Sequence, residues 1–388
     1  MNSRERCLRS IKHEEVDRVP LILRIRPEPW IKLKRYLGVM DDEKAYRWLG
    51  VDIRGVGIGL KGGYEVRGAK YGERGWVIEE GPGFQVEQNI FGYRLLFHRP
   101  HTHTFTYVYH PLQHMSLEEY EWPEVREEDF DKVVRLRRRY EDFCLYGGVT
   151  HMWEVAWKLT GFNTMMKMLF TRPKEVEVIL DNLHRIRMQQ AKLLCEAGVD
   201  VIYDGDDVGM QKGMMISPTM WRRLLKPRYA ELVSLCHRYG AFFLFHSDGW
   251  IEPIIRDLIE IGVDILNPVQ PECMDPAEVH ARYGDELCFD GTLSIQHTIP
   301  FGSVEDVVRE VRERIETIGY TGLILGPSHA IQPEAPVENI IAIYTAARKY
   351  GRNPSFKRRE PACPKSPRAA ERSHWSHDGK RELPYEMP

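Results

Sequence analysis

Short apolar runs alternate with longer segments of helical spacing over residues 200–349. The runs at 201–203, 242–245, 263–266, 287–289 and 323–325 each have about the length of a strand buried on both faces. Buried strands that alternate with helices predict a parallel sheet. Between them, apolar residues at helical spacing predict helices over 220–238, 251–261, 304–318 and 337–349. Gly198, Gly240, Gly262 and Gly322 stand just ahead of strands, where helices are expected to stop.

The first half is less regular. A helix over 3–12 leads to a first strand at 19–24, and the stretch 76–109 contains VIEE, YRLLF and FTYVY. These aromatic and β-branched runs, separated by turn residues, predict hairpins inserted at about 75–110 rather than a separate domain. A helix over 127–143 then precedes a strand at 145–149 and the sequence THMWEVAWKLTG, where barrel order resumes.

Two architectures share this alternation, a closed (β/α)8 barrel and an open doubly wound sheet. The chain has neither GxGxxG nor GxxxxGKS/T to hold a nucleotide phosphate, whereas polar clusters follow almost every strand, as they do where βα loops line a barrel mouth. The expected fold is α/β, a (β/α)8 barrel over 1–350 with an N-terminal helix and the inserted hairpins. Residues 351–388, rich in proline and charge, are expected to form an extended or flexible tail, with Trp375 and Tyr385 as candidates to dock on a neighbouring subunit.

Composition narrows the partners. With 43% hydrophobic residues, a 388-residue chain can furnish a large core. A net charge of -3 gives no basic field to draw it to nucleic acid or an anionic membrane. The N-terminal MNSRERCLRSIKHEEVDRVP lacks an apolar signal core, and no run of about eighteen apolar residues occurs, so a cytoplasmic protein is expected. Seven scattered cysteines without a CxxC pair suit reduced thiols better than a disulfide frame or a thiolate zinc site.

The candidate chemistry lies at strand ends. Run 242–245 delivers His246-Ser247-Asp248-Gly249, and run 323–325 delivers Gly326-Pro327-Ser328-His329. If both are barrel strands, two imidazoles and the Asp248 carboxylate face one mouth, where they can converge on a reacting atom or a metal. Asp248 before Gly249 also fits a helix N-cap, and a histidine after a strand also fits a plain hydrogen-bonding role. Asp204, Asp206 and Asp207 repel one another, so that cluster is solvated, capping, or stabilised by a cation or a substrate's donors. Glu154, between Trp153 and Trp157, is expected to have a raised pKa and to serve as acid, base or ligand; a surface glutamate at a helix start is the plain alternative. Asn267, Gln270 and Asp290 suit the orientation of a polar substrate.

Four segments resemble the uroporphyrinogen decarboxylase superfamily: SRERCLRSIKHEEVDRVP, GVDVIYDGDDVGMQKGMMISPTMWRRLLKPRY, FHSDG and LILGPSHAIQPEAPVENIIAIY. The resemblance runs from the start to about Tyr350 and is specific in its last half. This superfamily holds the decarboxylase of haem synthesis and cobalamin-linked methyltransferases that pass methyl groups to thiols or other acceptors. By the resemblance, Asp204 matches the aspartate of the decarboxylase's FDSW segment and His329 the histidine of its GHG segment. The decarboxylase's RQAGRY motif is replaced by PLILRIRPEPW, leaving Arg24 and Arg26 to grip a polycarboxylate, which speaks against that reaction. The methyltransferase branch carries His-x-Cys after one strand and Cys after the last, together holding zinc. Here His246 is kept, Asp248 stands for the first cysteine and His329 for the second. The resemblance thus implies a divalent metal, zinc first, with iron, manganese or nickel admitted by the harder donors, and a corrinoid supplied by a partner protein.

The leading expectation is a methyltransferase-like enzyme for a small-molecule substrate, with metal at His246, Asp248 and His329 and catalytic groups among Glu154, Asp204, Asp206, Asp207 and His329. Arg24, Arg26, Asn267, Gln270 and Asp290 are the expected substrate-binding residues. Two alternatives stay open. One is a metal-free decarboxylase or lyase, with the aspartates around Asp204 binding a cationic intermediate and His329 moving protons. The other is a barrel that binds a tetrapyrrole or corrinoid partner without turnover. Paired barrels are familiar in this superfamily, so a homodimer is implied by resemblance as well.

Overall fold

The structure, a computed structural model, describes residues 1–98 and 105–356. Contacts group the chain into two units, Met1–Pro354 and Ser355–Pro388. The tail expectation, with Trp375 and Tyr385, lies outside the described residues.

Seven parallel strands pair in chain order: β1 (Ile53–Gly57), β2 (Cys144–Gly148), β3 (Val201–Gly205), β4 (Phe242–His246), β5 (Ile265–Asn267), β6 (Cys288–Asp290) and β7 (Leu323–Ile324). Residues 19–25 supply the eighth stave. Leu21 and Ile25 bridge in parallel to Leu325 and Ile331, and the Asp52 N–H donates to the Leu21 carbonyl at 2.9 Å, closing the ring between β7 and β1. The fold is the expected (β/α)8 barrel. The predicted strand at 19–24 keeps its extended path but makes isolated bridges, because Pro20 has no N–H for a ladder and the Leu21 N–H is taken by the Asp52 carboxylate at 2.8 Å.

Side-chain alternation sorts each strand between lumen and helix layer. Val201, Leu244, Ile265, Cys288 and Ile324 share an inner cluster with Ile22, Ile53 and Tyr146. Ile202, Phe243, Phe245, Leu266 and Phe289 face the surrounding helices. Phe243, Phe245 and Phe289 are each 0% exposed, and burial of such a ring contributes on the order of 2–3 kcal/mol. Apolar residues on both faces explain why the strands read as continuous hydrophobic runs. The helix Ser3–Ile11 adds Cys7 and Ile11 to the inner cluster, and its Ser10 hydroxyl donates to the Leu323 carbonyl at 3.1 Å, so the amino end of the barrel is plugged.

Helix limits move where proline intervenes. The segment predicted as one helix over 220–238 is two, Pro218–Leu224 and Lys226–Arg238, since Pro227 lacks an N–H and crowds the preceding turn. The helix predicted over 251–261 opens as a 3-10 turn, Glu252–Ile254, before Ile255–Glu260. That predicted over 127–143 shortens to Phe130–Arg139.

The inserted strands Trp76–Gly81, Phe84–Gln88, Arg94–His98 and Phe105–Tyr109 form one four-stranded antiparallel sheet. It rests on the helix Met152–Thr160: the Tyr107 ring meets Trp157 edge-on at 5.3 Å, and His110 Nδ1 lies 2.7 Å from the Lys158 carbonyl. Among the described residues no helix is long and apolar enough to cross a membrane.

Candidate active site at the barrel mouth

Strand register places Gly205, His246 and Asn267 side by side at the carboxyl ends of β3, β4 and β5. His246 points into the lumen because it follows Phe242 and Leu244 on the inner face. Its Nδ1 is 2.5 Å from Asn267 Oδ1. The Asn267 amide nitrogen donates to the Asp290 carbonyl at 2.7 Å and to the Asp290 carboxylate at 3.1 Å, so the amide oxygen must face the ring. His246 Nδ1 therefore carries the hydrogen it donates, and the Nε2 lone pair is left facing Asp207 Oδ1 at 3.6 Å and Asp248 Oδ1 at 3.8 Å.

The loop after β4 is tied to the loop after β3. The Val208 and Gly209 N–H groups donate to the Ser247 hydroxyl at 3.0 and 3.2 Å, and the Asp248 N–H donates to Asp207 Oδ1 at 2.7 Å. Gly249 has φ 86°, and a Cβ there would stand 2.7 Å from both the nitrogen and the oxygen of Met210, so only glycine lets the two loops touch. Asp248 caps no helix, which removes the N-cap alternative; the 3-10 turn that follows begins further on, at Glu252, after Ile251. Its Oδ1 is buried with no hydrogen-bond partner among the described residues.

His329 comes in from the loop after β7, which is held by the Ser328 N–H donating to the Leu293 carbonyl at 2.9 Å. Its Nε2 is 3.9 Å from Asp248 Oδ2, and its ring centre is 5.9 Å from that of His246. Donor atoms of His246, Asp248 and His329 all lie within 4.8 Å of one another. Burial lowers the pKa of His246, and burial together with His246 and the nearby Arg26 and Arg24 guanidinium groups lowers His329 to about 4. Both rings are thus neutral near pH 7, the form in which imidazole binds metal. Burial and the neighbouring Glu154 and Asp248 carboxylates push Asp207 up to about 7. An unpartnered carboxylate oxygen, two neutral imidazoles and a repelled aspartate suit a divalent cation.

The three aspartates at the end of β3 and just beyond it divide among three environments. Asp207 joins the mouth. Asp206 is fully buried and accepts from the N–H groups of Trp153 and Glu154 at 2.8 and 2.7 Å and from the Tyr229 hydroxyl at 2.6 Å, so it caps the helix Met152–Thr160. Asp204 shares the outward face of β3 with Ile202 and pairs with Arg187 at 2.6 Å, both side chains 0% exposed. The structure does not bring Asp204 and Asp206 into the lumen with the other candidates.

Glu154 departs from expectation in its pKa. Burial would raise it, but His151 at 3.0 Å and Lys158 at 2.8 Å outweigh burial and hold it at about 2. The sequence reading missed the lysine one helical turn on. Arg24 is committed to Asp290 by two bonds, 2.7 and 3.0 Å, and Arg26 to Glu73 at 3.0 Å. Gln270 accepts from the Gly249 N–H at 3.3 Å and, with Gln211, Gln296 and His329, lines a cleft of about 230 Å³. The sequence reading also missed His151, half-exposed after β2; its only local signal is Glu154 three residues on.

Residues 105–350 match the family model described as Uroporphyrinogen decarboxylase (URO-D), and the chain belongs to that family. It is similar to the Methylcobamide:CoM methyltransferase MtaA of Methanosarcina barkeri, 26% identical over 220 residues, which cover 56% of this chain and 62% of the relative. It is also similar to a Uroporphyrinogen decarboxylase of Coxiella burnetii, 22% identical over 209 residues, covering 52% and 53% of the two chains. The chain therefore spans less than two thirds of the length of either curated relative. A solved methyltransferase from Methanosarcina mazei superposes with a TM-score of 0.63 over 90% of this chain and 99% of that one, at 20% identity, and shares the fold.

Proposed function

We propose that the chain is a metal-dependent methyltransferase that works with a corrinoid, carried by a partner protein, and a small-molecule substrate. The observation that carries this reading is the convergence of His246, Asp248 and His329 donors within 4.8 Å at a barrel mouth. The relative named for methylcobamide supports the methyl-transfer direction. A divalent metal at these residues, zinc first among the candidates, supplies Lewis acidity that lowers the pKa of an acceptor thiol, hydroxyl or water.

The protein's own residues do the positioning. Arg24 fixes Asp290, Asp290 fixes Asn267, and Asn267 sets the tautomer of His246 so that Nε2 is the ligand atom. Asp207 holds the Asp248 backbone in place. The cleft beside His329, lined by Gln211, Gln270 and Gln296, offers amide groups to a small polar substrate. The decarboxylase reading is weaker, because Arg24 and Arg26 are already paired with Asp290 and Glu73 and so are not free to neutralise a polycarboxylate.

The experiment is consumption of methylcobalamin in the presence of a small thiol such as 2-mercaptoethanol, followed by absorbance. Chelator-stripped protein is expected to be inactive and zinc-reloaded protein active. Consumption at the same rate with and without metal, or none at any metal loading with thiol, hydroxyl or amine acceptors, contradicts the proposal.

A further inference from the structure

We propose that His151, oriented by Glu154, is the group that accepts the proton of the methyl acceptor at this mouth. The inference rests on the methyl-transfer reading and adds to it a base distinct from the metal ligands. His246 donates from Nδ1 to Asn267 and turns Nε2 toward the metal candidates, so neither of its nitrogens is left for proton transfer, and His329 turns Nε2 toward Asp248 as a ligand would.

His151 has one. It ends the loop after β2, immediately ahead of the helix Met152–Thr160. Its Nδ1 lies 3.0 Å from Glu154 Oε2, and the same oxygen receives the Lys158 ammonium at 2.8 Å. Because Glu154 is held ionised, Nδ1 carries the donated hydrogen and Nε2 is the free basic nitrogen. That nitrogen lies over Gly205: a Cβ at Gly205 would meet His151 Nε2 at 3.0 Å and the Tyr203 hydroxyl at 2.9 Å. Gly205 is the rung partner of His246, so the free nitrogen stands above the strand end next to the candidate metal ligand. The His151 side chain is 36% exposed, which leaves it reachable from the mouth.

The anchor of this pair is built by the insertion. Lys158 is 8% exposed and sits over the rings of Tyr107 and Trp157, at 5.9 and 5.4 Å. The inserted sheet thus pins Lys158, Lys158 pins Glu154, and Glu154 orients His151. Glu154 and Lys158 face His151 from the helix it precedes, Tyr203 from β3, Asp207 from the following loop and His246 from β4, while the Asp204 charge acts on it from the outer face of β3. Burial disfavours charge on His151, but the Glu154 carboxylate, with help from Asp204, outweighs it and raises the pKa above the ordinary histidine value.

For a thiol acceptor the step balances simply. Sulfur forms a bond to the methyl carbon, the cobalt–carbon bond of the donor breaks with its electron pair left on cobalt, and the thiol proton passes to His151 Nε2. The resulting imidazolium is stabilised by Glu154 and returns the proton to solvent.

The test uses full-length zinc-loaded protein, His151→Gln and Glu154→Gln, with three readouts: zinc content, the His151 tautomer from ring 15N NMR shifts, and methylcobalamin consumption with 2-mercaptoethanol. His151→Gln is expected to keep its zinc, to lose about 10²–10⁴-fold in kcat, and to change KM for the thiol little. Wild-type His151 is expected to carry its hydrogen on Nδ1, and Glu154→Gln to lose that preference. An active, zinc-loaded His151→Gln with unchanged kcat, or a neutral His151 ring protonated on Nε2 or indifferent to Glu154→Gln, overturns the inference alone. Wild-type protein that holds no zinc, or consumes no methylcobalamin, overturns the methyl-transfer reading and this role with it. Should His151→Gln fail to fold, the tautomers of the wild type and Glu154→Gln decide.

Discussion

His246 and Asn267 occupy the same rung of adjacent strands and share a 2.5 Å hydrogen bond that fixes which imidazole nitrogen faces the mouth. Partners of this kind, one shell out from a metal, typically alter affinity by about 10–100-fold when removed. Asn267→Leu is expected to weaken zinc binding by about that factor while zinc still binds. Competition against a chromophoric chelator measures it, and an unchanged affinity removes Asn267 from the site.

The Asp204–Arg187 pair predicts a loss of stability rather than of metal. Both side chains are fully buried, and burial pushes the Asp204 carboxyl up to about 7 against the pull of Arg187, so removing the arginine leaves a buried acid without its partner. Arg187→Met should cost about 3–5 kcal/mol in a urea unfolding series. Zinc content at a temperature where the variant is folded should equal that of wild type. A variant of wild-type stability that has lost its metal would return Asp204 to the reaction centre.

Metal retention should persist to unusually low pH. Protons and metal compete for the imidazole nitrogens, and an ordinary histidine is half protonated near 6.5. His329 is lowered to about 4 by burial, by His246 and by the arginines, and His246 is lowered by burial, so proton competition is weaker than usual at both. Zinc should therefore stay bound as pH falls through the ordinary histidine range and leave as it approaches the His329 value of about 4. Dialysis across this range followed by elemental analysis checks the sign; release centred at the ordinary value contradicts the burial argument.

Much of the fold could be read from residues 200–349 because strands buried on both faces appear as uninterrupted apolar runs and glycines mark the helix ends. β1 escaped notice because IRGVG is broken by glycine and only half-buried. The closing stave was seen, but not that Pro20 and the Asp52 carboxylate would reduce it to isolated bridges. At the site, His246, Asp248 and His329 were visible because each stands at, or within a few residues of, the carboxyl end of an apolar run. The division of Asp204, Asp206 and Asp207 was not, since it depends on which way each side chain leaves the end of β3 and on Arg187 and Tyr229 from the helices packed on either side of it. His151 and Lys158 carry only local spacing to Glu154, and their placement requires the inserted sheet and the gap at Gly205.

The central claim is that two imidazoles and one carboxylate hold a metal at the mouth. Elemental analysis of protein purified without added metal, alongside His246→Ala and His329→Ala, tests it most directly. The account predicts near-stoichiometric divalent metal in wild type and its loss in both variants; a metal-free wild type, or a full complement of metal that survives both substitutions, contradicts it.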